Sequence, residues 1–297
     1  MSSMFGILPA VVTPLDAQGN VNIASYEALL ARVYGTGVHG IYVAGQTGEG
    51  LSLTVSDRKK LAEASKANSP KGAQVIVHIG AHRTVDAMEL AKHASSIGVT
   101  AVSSLPPIGV FSFPEIKAYY QALAAASDAP FLIYFFPALA PAITSHDQIL
   151  ELCTIPNVVG LKFTDMNLYR MERIKRFGHV IYNGHDEVLA AGLLMGADGG
   201  IGTFYNLTPE LFLEVYRCMQ AKDTEGAMKA QLRINELIEL TLRVPALSAV
   251  KRMMTWSGIP CGDPVAPRRT MTAEDEEKLI AMLAASSFKD APFAKPR

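Results

Sequence analysis

The 297 residues, 49% hydrophobic and 19% charged, supply a large core, and a single α/β barrel routinely reaches ~250 residues. A net charge of −1 offers no basic field for nucleic acid. Cys153, Cys218 and Cys261 have neither metal-type nor disulfide spacing, no apolar run is long enough for a bilayer, and Met1-Ser2-Ser3-Met4 lacks the regions of a signal peptide. The expectation is a soluble, cytoplasmic protein with no membrane partner.

Gly6 to Thr13 predicts a first strand, closed by Pro14, with turn residues from Asp16 to Asn20 and a helix from about Ile23 to Tyr34. Gly40 to Ala44 reads as the second strand, and Thr54-x-x-Asp57 as a capping-box-like helix start. Gln74 to Ile79 and Ala101 to Leu105 are the next strands, each followed by a helix, Thr84 to Ile97 and Pro114 to Ala126. Pro130 to Phe136 is the fifth strand, after which Ser145-x-x-Gln148 boxes in a short helix. Val158 to Lys162 precedes a helix over Leu168 to Phe177, and Val180 to Asn183 one over Glu187 to Met195. Gly199 to Thr203 is the eighth strand, and Thr208-Pro209 places an N-cap and an N1 proline at the eighth helix.

Eight strands alternating with eight helices over roughly 220 residues predict a closed (β/α)8 TIM barrel. An open doubly wound sheet is disfavoured because no glycine-rich dinucleotide turn follows the first strand. Beyond Ala221 the pattern turns to helices alone, Thr224 to Val244, Ala246 to Trp256 and Ala273 to Ala284. The expected division is a barrel over 1–221 and a C-terminal helical extension over 222–297 packed on it.

The site of such a barrel lies at the C-terminal ends of its strands. The sixth ends in Lys162, with Thr164 two places on. A lysine there either snorkels or pairs with a carboxylate, or else is held dry so that its free amine attacks a ketone. After the second strand comes Gly45-Gln46-Thr47-Gly48-Glu49-Gly50, which is either a plain turn or a cradle of N–H and hydroxyl groups for a small anion. Tyr134 ends the fifth strand and is either a satisfied core phenol or a proton carrier. After the seventh strand, Asp186 either caps the next helix or joins Glu187 in binding sugar hydroxyls; Thr203 follows the eighth. An anion cradle, a phenol, a dry amine and hydroxyl-binding carboxylates suit Schiff-base chemistry on a 2-oxo acid. His78 and His82 have metal-like spacing but bracket a strand end, and no metal site is expected from them.

The motifs Gly45-x-Thr47-Gly48-Glu49, Tyr134-x-x-Pro137, Gly160-Leu161-Lys162 and Gly196-Ala197-Asp198-Gly199-Gly200-Ile201-Gly202 resemble the dihydrodipicolinate synthase/N-acetylneuraminate lyase group of class I aldolases, over about Phe5 to Pro260. The resemblance implies Lys162 as the imine-forming lysine and Tyr134 as the proton carrier. It implies no cofactor beyond that lysine, and a homotetramer. Pro137-Ala138-Leu139 lacks the arginine of the synthases, and Tyr182-Asn183-Gly184-x-Asp186-Glu187 is similar to the lyase segment that meets the sugar tail. Ser257-Gly258-Ile259-Pro260 resembles the lyases as well. The implied activity is cleavage of N-acetylneuraminate to N-acetylmannosamine and pyruvate. The alternatives are an aldolase or dehydratase for another 2-keto-3-deoxy sugar acid, a synthase-like enzyme, or a sugar-acid-binding barrel without turnover. The expected substrate-binding set is Gln46, Thr47, Gly48, Thr164, Gly184, Asp186, Glu187 and Thr203. Two departures stand out. Gln46 replaces the usual serine or threonine; its amide can still donate a hydrogen bond to a carboxylate, while its length is enough to crowd the cradle or move the carboxylate. Ile108-Gly109-Val110 stands where some members place a tyrosine for a neighbouring subunit, so no relay across subunits is expected.

Overall fold

The computed structural model describes residues 4–296; Met1 to Ser3, part of the stretch read for a leader, lie outside them. Eight strands, β1 (Gly6–Pro9), β2 (Gly40–Val43), β3 (Gln74–His78), β4 (Ala101–Ser104), β5 (Phe131–Phe135), β6 (Val158–Phe163), β7 (Val180–Asn183) and β8 (Gly199–Gly202), run in the order β1-β8-β7-β6-β5-β4-β3-β2. Each hydrogen-bonded pair is parallel. A parallel bridge between Ala10 and Tyr42, with the Val11 N–H donating to Tyr42 O at 3.0 Å, joins β1 to β2 and closes the sheet. Helices α1 (Ile23–Gly35), α2 (Val55–Ala67), α3 (Thr84–Ser96), α4 (Phe113–Ala125), α5 (His146–Cys153), α6 (Leu168–Lys175), α7 (Leu189–Leu194) and α8 (Pro209–Gln220) follow the strands in turn. The chain ends in α9 (Thr224–Thr241), α10 (Ala246–Trp256) and α11 (Ala273–Ala284). This is the (β/α)8 barrel with C-terminal helices that the strand–helix alternation predicts. No helix among the described residues is long and apolar enough to cross a membrane.

Strand side chains alternate between two cores, as the period of two requires. Leu8, Tyr42, Ile76, Leu132, Tyr134, Tyr182 and Ile201 fill the barrel interior. Ile7, Val43, Val77, Phe131, Leu161 and Ile181 face outward into the helices. That outer core runs on without a break into the extension through Ile234, Leu237, Val250, Met253, Trp256 and Leu279. At ~1.5–3 kcal/mol per buried large apolar side chain, this shared layer fixes where α9 and α10 sit over the barrel.

The capping chemistry holds at most ends. Thr54 accepts from the Asp57 N–H at 3.1 Å, and the Ser145–Gln148 box is present. Three expectations are corrected. Gly6 to Thr13 is too long: after Pro9 the N–H groups split their bonds, Ala10 to Gly202 O, Val11 to Tyr42 O and Val12 to Asn206 Oδ1, so no ladder continues. Thr208 stands at the N-cap of α8, but its side chain makes no capping bond and its buried hydroxyl has no partner. Finally, Glu187 to Met195 is not one helix: a 3-10 turn over Asp186–Val188 precedes α7.

Candidate active site

Lys162 and Tyr134 are register partners on β6 and β5, and both point into the barrel. Lys162 is only 5% exposed, so it does not snorkel. Its Nζ lies 3.6 Å from the Tyr134 ring centroid and 5.5 Å from that of Tyr42, a cation–π arrangement, and no carboxylate pairs with it among the described residues. Neither structural reading of this lysine fits. The phenols around it differ in one respect. The Tyr42 hydroxyl donates to Ser103 Oγ at 3.1 Å, and that of Tyr182 donates to Gln74 Oε1 at 2.7 Å across the barrel. Among the described residues no group holds the Tyr134 hydroxyl, so it alone of the three is free to bond a substrate.

Beneath Tyr134 lies a polar layer that sequence reasoning missed. The Leu105 N–H donates to His78 Nε2 at 3.2 Å, which leaves the proton on Nδ1, 3.1 Å from Ala44 O. Burial, then the charges of Arg58 and Lys162, drive the His78 pKa far down, so the ring is neutral. Arg58, pushed down to about 10 by burial, donates to His78 O and Gly80 O at 2.7 and 2.8 Å. Its charge lies outside any local motif, on α2. His78 therefore has both ring nitrogens occupied, while His82 is exposed in the loop after β3; among the described residues no group of three His, Cys, Asp or Glu side chains converges on a metal.

The loop after β2 is tightly turned. Gly50 N–H donates to Gly45 O, and Thr13 Oγ1 donates to Gly48 O at 2.7 Å. A Cβ on Gly50 would stand 1.8 Å from Ala44 O, so only glycine lets the loop turn here. The Thr47 and Thr203 hydroxyls meet at 2.6 Å, joining the ends of β2 and β8. The Gln46 Oε1 faces the Arg268 guanidinium at 3.5 Å. Gln46, Thr47 and Thr203 share a cavity of about 290 Å³ with Phe204, Val250 and Arg268, while two larger cavities of about 710 Å³ lie away from this mouth.

The carboxylates follow β7. Asp186 does not cap α7; its Oδ2 accepts from the Phe204 N–H at 2.7 Å, and a Cβ on Gly202 would meet Oδ1 at 1.8 Å. Burial pushes its carboxyl up to about 7, against that hydrogen bond and the charge of Lys162. Glu187 is half-buried and held below the ordinary carboxylate range by His185, 3.3 Å away. Thr164 is buried with an unpartnered hydroxyl beside Gly184. Gln231 on α9 explains the broken helix. Its Nε2 donates to Asp186 O and its Oε1 accepts from the Ala190 N–H, both at 3.0 Å, replacing the bond a continuous helix would make. Asn235 likewise donates to Glu187 O at 3.1 Å. A lone glutamine on the Ala227–Ala230–Ile234 face of α9 was the only signal in the sequence.

A (β/α)8 barrel whose interior ends in a dry lysine beside a free phenol, under a glycine-rich cradle, has the architecture of a carbon–carbon lyase of the class I aldolase type. The chain matches the dihydrodipicolinate synthetase family over residues 3–286 and belongs to it. It is 34% identical over 287 residues to N-acetylneuraminate lyase 2 of Escherichia coli O6:H1, covering 94% of each chain, and 32% identical to N-acetylneuraminate lyase of Rhizobium meliloti, covering 91% of each. Its structure is similar to the sialic acid aldolase of Ruminococcus gnavus, with a TM-score of 0.90 and 30% identity over 94% of this chain and 95% of that one. Enzymes of this family work through a lysine Schiff base.

Proposed function

We propose that this enzyme cleaves N-acetylneuraminate to N-acetylmannosamine and pyruvate, with Lys162 as the nucleophile. The observation that carries the reading is the unpaired, buried Lys162 side chain, whose Nζ packs on the ring of Tyr134. Lys162 Nζ adds to the C2 ketone of the open-chain sugar, and loss of water leaves a protonated imine. Tyr134, aided by the substrate carboxylate, takes the C4 hydroxyl proton as the C3–C4 electron pair flows into the imine. The sugar aldehyde leaves, the enamine regains a proton at C3, and water releases pyruvate and the free amine. The substrate carboxylate sits at Gln46, Thr47 and Gly48, and the tail at Thr164, Gly184, Asp186, Glu187 and Thr203. In this reading no metal or other cofactor takes part. The protein works in the cytoplasm as a homotetramer, by likeness to its family; light scattering tests the assembly.

Borohydride reduction in the presence of pyruvate is expected to add one pyruvate-derived mass to the native chain and none to Lys162→Ala. A trapped peptide containing another lysine overturns the assignment. A panel of sialic acids and shorter keto-deoxy acids separates this reaction from an aldolase using the same lysine on another sugar acid.

A further inference from the structure

Glu49 is a non-glycine residue with a φ of 56°, in the left-handed region. Its side chain and that of Lys251, 202 residues on in α10, are both fully buried. Lys251 Nζ donates to Glu49 Oε1 at 3.0 Å and to Asp263 O at 2.9 Å, while Glu49 Oε2 accepts from the Val265 N–H at 2.6 Å. Three hydrogen bonds thus tie the cradle loop, α10 and the segment 263–265 together. Arg268, further along that segment, adds contacts to Gln46 O and Oε1 at 3.4 and 3.5 Å.

Stability alone does not account for this arrangement. Two buried charges cost several kcal/mol each to desolvate, and a well-packed apolar pair in their place is often neutral or stabilising. What the ion pair supplies is direction: bonds of fixed length to a loop whose next contacts are Glu49 N–H to Gln46 O at 3.2 Å and Thr47 to Thr203. We infer that Glu49 and Lys251 are positioning residues that hold Gln46, Thr47 and Gly48 at the spacing a 2-oxo acid carboxylate needs. They act on binding of the pyruvyl end and not on C–C cleavage. This rests on the functional reading above, which makes that loop the carboxylate cradle.

The test uses the full chain as Lys251→Met, Glu49→Gln and the double variant. The double variant removes both charges together, so it folds even where a single variant strands an uncompensated charge. Pyruvate is titrated under borohydride, trapped Lys162 is read by intact mass, and each sample is held well below its own Tm. The half-saturating pyruvate concentration is expected to rise about tenfold in the double variant, the scale of one weakened hydrogen bond to a charged group. Trapping at saturation and kcat should stay within about threefold of native. A Thr47→Val background supplies the second readout. If the pair acts through the cradle, the double change raises the half-saturating concentration much less there than in the native chain; a merely structural pair gives independent, multiplying effects. A lowered Tm with native pyruvate affinity, or multiplying effects, overturns the inference alone. A native chain that traps no pyruvate overturns the functional reading and this inference with it.

Discussion

Asp186→Asn separates the electrostatics of the seventh loop from its shape. In the folded chain the Asp186 carboxyl is raised from its ordinary 3.8 to about 7, first by burial. The folded state therefore favours the protonated form. Its contribution to stability is complete below about pH 3.8 and is lost as pH rises through about 7. A rise of that size is roughly a thousandfold in proton affinity, so ionised Asp186 costs up to about 4 kcal/mol of folding free energy at pH 8. Asparagine keeps an oxygen for the Phe204 N–H and cannot ionise. Urea unfolding of both chains, without pyruvate, should show native protein losing ~3–4 kcal/mol relative to the variant between pH 4 and pH 8. The contributions of groups that do not feel the Asp186 charge cancel in that difference. A difference flat to within ~1 kcal/mol, or one of opposite sign, refutes the burial argument.

Tyr134→Phe is expected to trap pyruvate as native protein does and to lose turnover by ~10²–10⁴-fold, read by single-turnover cleavage; unimpaired turnover returns this phenol to the core. Glu187→Gln, at the half-buried rim, should lower kcat/KM for N-acetylneuraminate about tenfold and leave pyruvate trapping alone. Equal losses on short keto-deoxy acids would show that Glu187 does not read the tail. Thr208→Val is expected to leave Tm unchanged or raise it, because the buried hydroxyl has no partner to lose; a loss of ~1 kcal/mol would reveal a working N-cap.

The barrel was legible because its signals are local. Strand–helix alternation and the boxes begun by Thr54 and Ser145 each act within a few residues. The meetings of Lys162 with Tyr134 and of Thr47 with Thr203 were legible for a related reason: strand ends of a closed barrel converge, so naming the ends names the mouth. What escaped was carried by distant partners. Lys251 sits between Val250 and Met253 with nothing nearby to announce Glu49, and Gln231 interrupts a helix 41 residues away. The cap open to Asp186 in the sequence fails for the same reason. The local position of Asp186 suits a cap, but the Phe204 N–H, 18 residues on, is left open by the end of β8 and takes the carboxylate instead.

The seam between β1 and β8 has a consequence for the birth of the enzyme. Gly6 pairs with Gly199 and Pro9 with Gly202, so the first strand waits for the last. At synthesis rates of ~5–20 residues per second, that wait lasts on the order of 10–40 s, with one edge of the growing sheet unpaired. Strand pairings between such remote segments form slowly, and open edges invite other chains. The loop that carries Glu49 is tied down later still, since Lys251 and Val265 emerge after the seam. A ribosome-bound chain halted after β8 would have a barrel to close but no partners for the Glu49 carboxylate, so the nascent protein acquires its shape before the loop after β2 is tied down.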